Sequence, residues 1–343
     1  MPVTVLCVAT HSERLFPSFI ESLQKQNFVC VFANEALPRT EGIEDSSSTA
    51  YIMGWQQKWE GFAMKFRLVS NFVKSLCAQG RGDDIIVFLD SFDTVVLASP
   101  EEIESKFLKY EKKYEKSICF SVDDPKNYSQ LGRYTLQKTF GSCAVSNNQK
   151  MYKKVIINTG GYIGRAQAIY DLFLDLCGED LSKCPSHLDD QLLMTSDCHN
   201  KIVADQHVPY NADTKCAFFF NVMEWDMLAD VKKKVSFDIS GDRVTLRKNS
   251  KIVTPCFYSG PGGAKIYQDF TQLGLTPSSE NPNLTPKQLA NRVKSFSILF
   301  TREIVISVVI IWLLWSWYKS KETKYLIGAM LLVAIASVVI NSA

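Results

Sequence analysis

Histidine is scarce in this sequence: His11, His187, His199 and His207 are all there is in 343 residues. They are dispersed, and no CxxC pair or Cys/His cluster has zinc-ligand spacing, which excludes a structural metal centre of that kind. A nucleophile triad cannot be assembled either. Net charge is equally sparing, 38 Lys and Arg against 36 Asp and Glu for a formal +2. The densest basic run, Lys232–Lys234, lies in a mixed polar segment and reads as a solvated face, so a nucleic-acid partner is excluded. The start "MPVTVLCVAT" lacks the basic n-region of a secretory leader and reads as a first strand. Internal repeats and low-complexity tracts are absent.

What is present is ordinary globular material, 46% apolar and long enough for one large domain or two small ones. Apolar strand-like runs at Val3–Ala9, Phe28–Phe32, Ile85–Leu89, Ser117–Ser121 and Val155–Thr159 alternate with helical patterns at Arg14–Gln26, Phe62–Ala78, Pro100–Lys113 and Arg165–Cys177. That alternation predicts an α/β domain with a mostly parallel sheet over residues 1–274. Cys7, Cys30 and Cys119 sit inside apolar runs and read as buried thiols. A linker, 275–299, begins with the Pro-, Ser- and Asn-rich "LTPSSENPNLTP". Beyond it, Ile304–Tyr318 and Tyr325–Ile340 are apolar runs joined by "KSKETK", with Trp312, Trp315, Trp317, Tyr318 and Tyr325 towards the loop. They predict a transmembrane hairpin over 300–343, with helices at about 300–318 and 325–343. Its short loop puts both ends on one side of a lipid bilayer, taken as the cytosol, while two sequons, at Asn127 and Asn283, would be used in a lumen.

The most informative stretch is "IIVFLDSFDTVVLAS", Ile85–Ser99. A buried-strand pattern stops at Asp90, and Asp93 follows three residues later. In an open α/β sheet, ligands bind beyond the carboxyl ends of the strands. Two carboxylates three apart reach one ion only if the chain bends between them, as strand termination at Ser91 permits. Hard oxygen donors suit Mn²⁺ or Mg²⁺, which bridge nucleotide phosphates. The competing explanation of a DxxD spacing is an exposed turn.

Further stretches narrow this. "VATHSERL", "FAMKFRLVSNFV", "FLDSFDTVVLASPEEI", "INTGGYIGRAQAIYDLF", "LDDQLLMT" and "YSGPGGAKIY" occur in the order found in the glycosyltransferase domain of procollagen lysyl hydroxylases, and residues 3–270 resemble that collagen glycosyltransferase-like family. The hydroxylase domain has no counterpart. The resemblance implies a GT-A, Rossmann-like fold that takes a UDP-sugar with Mn²⁺ and moves a hexose to an acceptor hydroxyl. It implies Asp90 and Asp93 as metal ligands, Phe92 beside the uracil, Thr10 as a nucleotide contact and Lys65 facing the donor. Asn158, Gly160 and Gly161 resemble the sugar-proximal loop, and Asp189 and Asp190 the acidic pair beside the transferred sugar. Chemically, "DDQ" offers groups that hydrogen-bond sugar hydroxyls, although Asp189 also reads as a helix cap. Gly260, Gly262 and Lys265 resemble a diphosphate loop.

One departure is Ser259, which stands where the family has a histidine completing the metal shell, and a hydroxyl is the poorer ligand. Two alternatives follow: a membrane-tethered nucleotide-sugar-binding protein without catalysis, or a nucleotidyltransferase. "VATHSERL" lacks the Gly- and basic-rich phosphate loop of the second. The implied donor is UDP-galactose or UDP-glucose, and the implied acceptor is hydroxylysine on a collagen-like protein or another glycan. A loop around Trp55 and Trp59, ahead of Lys65, supplies indole faces for stacking on a sugar.

Overall fold

The computed structural model describes residues 2–13, 15–33, 47–123, 134, 137–146, 152–178, 189–221, 236–240, 243–248, 251–260, 269–276, 294 and 300–342. They divide into two compact units, one of residues 1–127 and 140–282, the other of 128–139 and 283–343.

The first unit is mixed α/β. Its strands are β1 (Val3–Val8), β2 (Val29–Ala33), β3 (Thr49–Met53), β4 (Ile85–Leu89), β5 (Thr94–Val96), β6 (Ile118–Asp123), β7 (Cys143–Ser146), β8 (Tyr152–Arg165), β9 (Asn211–Ala212), β10 (Phe219–Asn221), β11 (Ser236–Ser240), β12 (Arg243–Lys248), β13 (Lys251–Val253) and β14 (Phe257–Ser259). Its helices are α1 (Phe16–Lys25), α2 (Ala63–Ala78), α3 (Pro100–Tyr114), α4 (Ala166–Cys177) and α5 (Asp190–Val203). The central sheet runs β2-β3-β1-β4-β8-β6-β9, with β7 joined to β8. Strands β2, β3, β1 and β4 are parallel, and β8 lies antiparallel between β4 and β6. The mostly parallel sheet expected from the alternation is therefore parallel-rich with one long reversed strand, consistent with a GT-A architecture.

Why the first strands read as unbroken apolar runs is visible in their packing. Ile86 and Phe88 of β4 face a core shared with α2 and α4, through Phe72 and Phe173 among others. Ile85, Val87 and Leu89 face the opposite layer, which includes Phe19 of α1 and Phe107 of α3. A strand covered on both faces has no polar side to show. Helix α3 starts where the sequence says it should: Ser99 caps it by accepting from the Glu102 N–H, and Pro100 occupies its first turn.

A small second sheet, β10-β14-β5, sits against the strand ends. Its register sets Ser259 opposite Thr94 on one side and Asn221 on the other. What anchors β10 is Asp213, 3% exposed, whose carboxylate accepts from the N–H groups of Ala217, Phe218 and Phe219 at 2.9, 2.7 and 2.9 Å. A third sheet, β11-β12-β13, is an antiparallel meander.

In the second unit, α6 (Thr301–Ser320) and α7 (Thr323–Ser342) form a helical hairpin. Lys321, at φ 59°, turns the chain and donates its N–H to Trp317, while Trp312 meets Tyr325 edge to face. The helices thus form where the apolar runs predict them. The spanning hairpin is nevertheless not borne out, because among the described residues no helix is long and apolar enough to cross a membrane. The runs Ile304–Tyr318 and Tyr325–Ile340 are 15 and 16 residues long, against roughly 20 for a bilayer. Of the proposed linker, only 275, 276 and 294 lie within the described residues.

The Asp213 anchor gives a stability prediction. Asp213→Ala strands the buried N–H donors of Phe218 and Phe219 and the half-buried one of Ala217 at once, and each unsatisfied buried donor costs about 1–3 kcal/mol. Urea unfolding should show a loss of about 3 kcal/mol or more. A loss below about 1 kcal/mol would mean that β10 is held by other means.

Candidate active site

Asp90 follows the last residue of β4, and its position is fixed from the backbone. Its N–H donates to the Gly160 carbonyl at 2.8 Å, and Ser91 donates its hydroxyl to the Val8 carbonyl at 3.3 Å. Gly160 lies where β8 is irregular: Phe120 pairs with Tyr162, but the next residue, Ser121, pairs with Asn158. This bulge, of a kind common beside active sites, explains "NTGG". The family resemblance implies a loop there, and the structure shows a strand with surplus residues. A side chain at Gly160 would put its Cβ 2.8 Å from Asp90 Oδ2 and 2.9 Å from Asn158 Oδ1, so the missing side chain is what lets both groups pack there. At Gly161 a Cβ would strike the Phe219 ring at 2.8 Å.

Three acidic groups converge with one ammonium. Lys65, on the first turns of α2, places Nζ 2.5 Å from Asp90 Oδ1 and 3.7 Å from Asp190 Oδ2. Its charged end also lies over the rings of Phe62 and Phe88. Burial alone would push the ammonium towards neutrality, but Asp90 and Asp190 more than offset this and hold it above the usual lysine range. Asp93 turns back through the second sheet: the Gly260 N–H donates to its carbonyl at 2.9 Å, and the Thr94 hydroxyl donates to its carboxylate at 3.3 Å, with the Ser259 hydroxyl alongside. Removal from water and the repulsion of Asp90 push Asp93 up to about 7, against the opposing pull of Lys65 and those hydroxyls. Asp190 is likewise raised, chiefly by burial and in spite of Lys65.

Asp189 caps α5, accepting from the Leu192 N–H at 2.8 Å, and its neighbour Asp190 is turned inward at 6% exposure. Asp189 is thus the helix cap, while Asp190 faces Lys65. Helix α5 is also tied covalently to the sheet by a Cys143–Cys198 disulfide with Cα atoms 5.7 Å apart. The dispersed cysteines gave no hint of it. Cys7, Cys30 and Cys119 are free thiols as expected, Cys7 and Cys119 fully buried and Cys30 partly so.

Asp123 is a site residue that the sequence reading passed over. It ends β6 as Asp90 ends β4, is 1% exposed, and draws in amides from three elements. Asn158 Nδ2 lies 3.3 Å from Oδ2, Gln191 Nε2 3.3 Å from Oδ2, and Asn221 Nδ2 3.5 Å from Oδ1. Asn221 also donates to Ser121 Oγ at 2.7 Å. The missed signal was the same one that exposed Asp90, an aspartate closing the apolar run "ICFSVD".

The remaining positions are placed as follows. Thr10 lies just beyond β1 and is partly exposed. Phe92 carries the His11 ring at 4.6 Å and touches Phe16. Trp55 does not reach for the site: it stacks on Phe16 and meets Phe32 edge-on. Trp59 is 43% exposed, edge-to-face with Phe62. Gly262 and Lys265 lie outside the described residues.

A divalent cation fits this arrangement through charge rather than through a ready cage. Among the described residues, no three His, Cys, Asp or Glu side chains are grouped to hold a metal. Asp90 and Asp93 with the Ser259 hydroxyl are the available donors, and Asp93 is raised first by burial and then by the repulsion of Asp90.

The Asp93 carboxyl sets a pH dependence for the cation-free fold. Its folded pKa lies above the ordinary value, so the folded state binds the extra proton and stability declines as pH rises from about 4 through 7. In chelator, Asp93→Asn should therefore melt higher than wild type at pH 8, the gap closing towards pH 5. Parallel melting curves at both pH values would refute this.

The family model of the PLOD GT domain matches residues 2–274. No curated protein matches the chain. A crystal structure of a glycosyltransferase involved in the glycosylation of the major capsid of PBCV-1 is similar at 12% identity and a TM-score of 0.40, over 80% of this chain and 100% of that one. With the match running from the first strand to the residues just beyond the second sheet, this chain belongs to the PLOD glycosyltransferase-domain family.

Proposed function

We propose that this glycosyltransferase moves a hexose from UDP-galactose or UDP-glucose to an acceptor hydroxyl in a reaction dependent on Mn²⁺ or Mg²⁺. The observation that carries the reading is the meeting of Lys65, Asp90 and Asp190 at the carboxyl end of β4, with Asp93 and Ser259 alongside. A cation held by Asp90, Asp93 and Ser259 would supply Lewis-acid neutralisation of the departing diphosphate. Lys65, its side chain 12% exposed, adds a water-poor positive charge for the same leaving group.

On the sugar side, the division of labour follows from environment. Asp190, raised by burial, is the better proton acceptor and suits general-base work on an incoming hydroxyl. Asp123, surrounded by amides, suits recognition: a hydroxyl arriving there finds an acceptor oxygen and neighbouring donors together. The exposed Trp59–Phe62 pair beside Lys65 offers apolar faces to a pyranose ring. Hydroxylysine of a collagen-like protein and a second glycan are the acceptors to test first.

The test is release of UDP from each UDP-hexose with Mn²⁺, with and without acceptor. Asp90→Asn should lower turnover by about 10²–10³, the scale on which lost charge stabilisation is felt. Asp123→Ala should chiefly weaken use of the hexose, leaving UDP affinity within about threefold. Wild-type rates in Asp90→Asn, or no UDP release from any UDP-hexose, would overturn the proposal.

A further inference from the structure

Building on that reading, we infer that Lys65 competes with the divalent cation for Asp90, so that cation and nucleotide bind as a coupled pair. The geometry is specific. Nζ of Lys65 is 2.5 Å from Asp90 Oδ1, a full charge-assisted contact. The other oxygen, Oδ2, faces the space that the missing side chain of Gly160 leaves open, 2.8 Å from where a Cβ would stand. One oxygen of the proposed ligand is thus taken by an ammonium. An ammonium and a divalent ion on the same carboxylate repel each other.

The lysine also has somewhere to go. Asp190 Oδ2 lies 3.7 Å from Nζ on the other side, and its carboxyl is buried. Lys65 stands on α2 between well-packed neighbours, Met64 and Phe66, so the helix stays in place while the flexible end of the side chain changes partner. A diphosphate would offer the ammonium a second anion and draw it off Asp90. Nucleotide binding then frees Asp90 for the cation, and by reciprocity the cation favours the nucleotide. This is more than the shared coordination of an ion by phosphate: it makes the protein's own ligand available only when the donor arrives.

The experiment is Mn²⁺ binding read by the electron paramagnetic resonance signal of free Mn²⁺, with UDP as the nucleotide probe. Without UDP, Lys65→Gln and Lys65→Met should each bind Mn²⁺ at least tenfold more tightly than wild type. With UDP, wild type should gain more affinity than either variant, because only wild type has a competitor to remove. Thermal melts establish that the variants fold. Lys65→Gln keeps the stem and a polar end if Lys65→Met does not fold. Folded variants with unchanged or weaker Mn²⁺ affinity without UDP would overturn the inference while leaving the cation site standing. No Mn²⁺ binding by wild type with UDP, or full binding by Asp90→Asn, would instead remove the cation site, and the inference with it.

Discussion

Gathering negative charge at the ends of packed strands is the constraint on which the rest of this structure depends. Asp90, Asp93, Asp190 and Asp123 stand at the ends of a strand, a turn, a helix and another strand, and such groups stay ionised inside a protein only when paired or hydrogen-bonded. The fold answers each one differently. Asp90 and Asp190 share the Lys65 ammonium, Asp123 takes amide donors, and Asp93 is left with hydroxyls and a raised pKa. The least satisfied carboxylate is the one next to the proposed cation position, as expected where function is kept at the expense of stability.

The surrounding elements make sense as the means of holding these groups. Helix α2 delivers Lys65 from one layer, β4 delivers Asp90 from the sheet, and the bulge in β8 clears space between them by placing a glycine where no side chain fits. The second sheet brings Ser259 to Asp93 and Asn221 to Asp123 from β14 and β10, two strands in register with each other. A single short sheet thereby serves both the proposed cation side and the sugar side.

Much of this was legible in the sequence where one rule dominated. Unbroken apolar runs marked β1 and β4 because both faces of those strands are covered, and Asp90 stood out by ending such a run. Helices α2, α3 and α4 were readable within a residue or so from apolar periodicity. The reading failed where tertiary context overrode local signals. Family resemblance made Asn158, Gly160 and Gly161 a loop, whereas they lie in a strand that passes close to Asp90 and Phe219. Strands β5, β10 and β14, three residues each, are too short to show a period. Asp123 was hidden by the acidic and turn-forming residues that follow it in "SVDDPKN". Apolar composition predicted the last two helices but not whether they are long enough to span a bilayer.

The disulfide between Cys143 and Cys198 also shapes the chain before it folds. The sequence separation is 55 residues, and the closed ring contains all of β8 and α4 and the first half of α5. Asn158, Gly160, Gly161, Asp189 and Asp190 therefore all ride on one covalent loop. Closing a loop of this length removes conformational freedom from the unfolded chain worth about 4 kcal/mol at 25 °C. The proposed sugar-side wall is then topologically bounded: when the rest of the domain opens, the strand and the helix that carry its polar groups can separate no further than their shared ring allows.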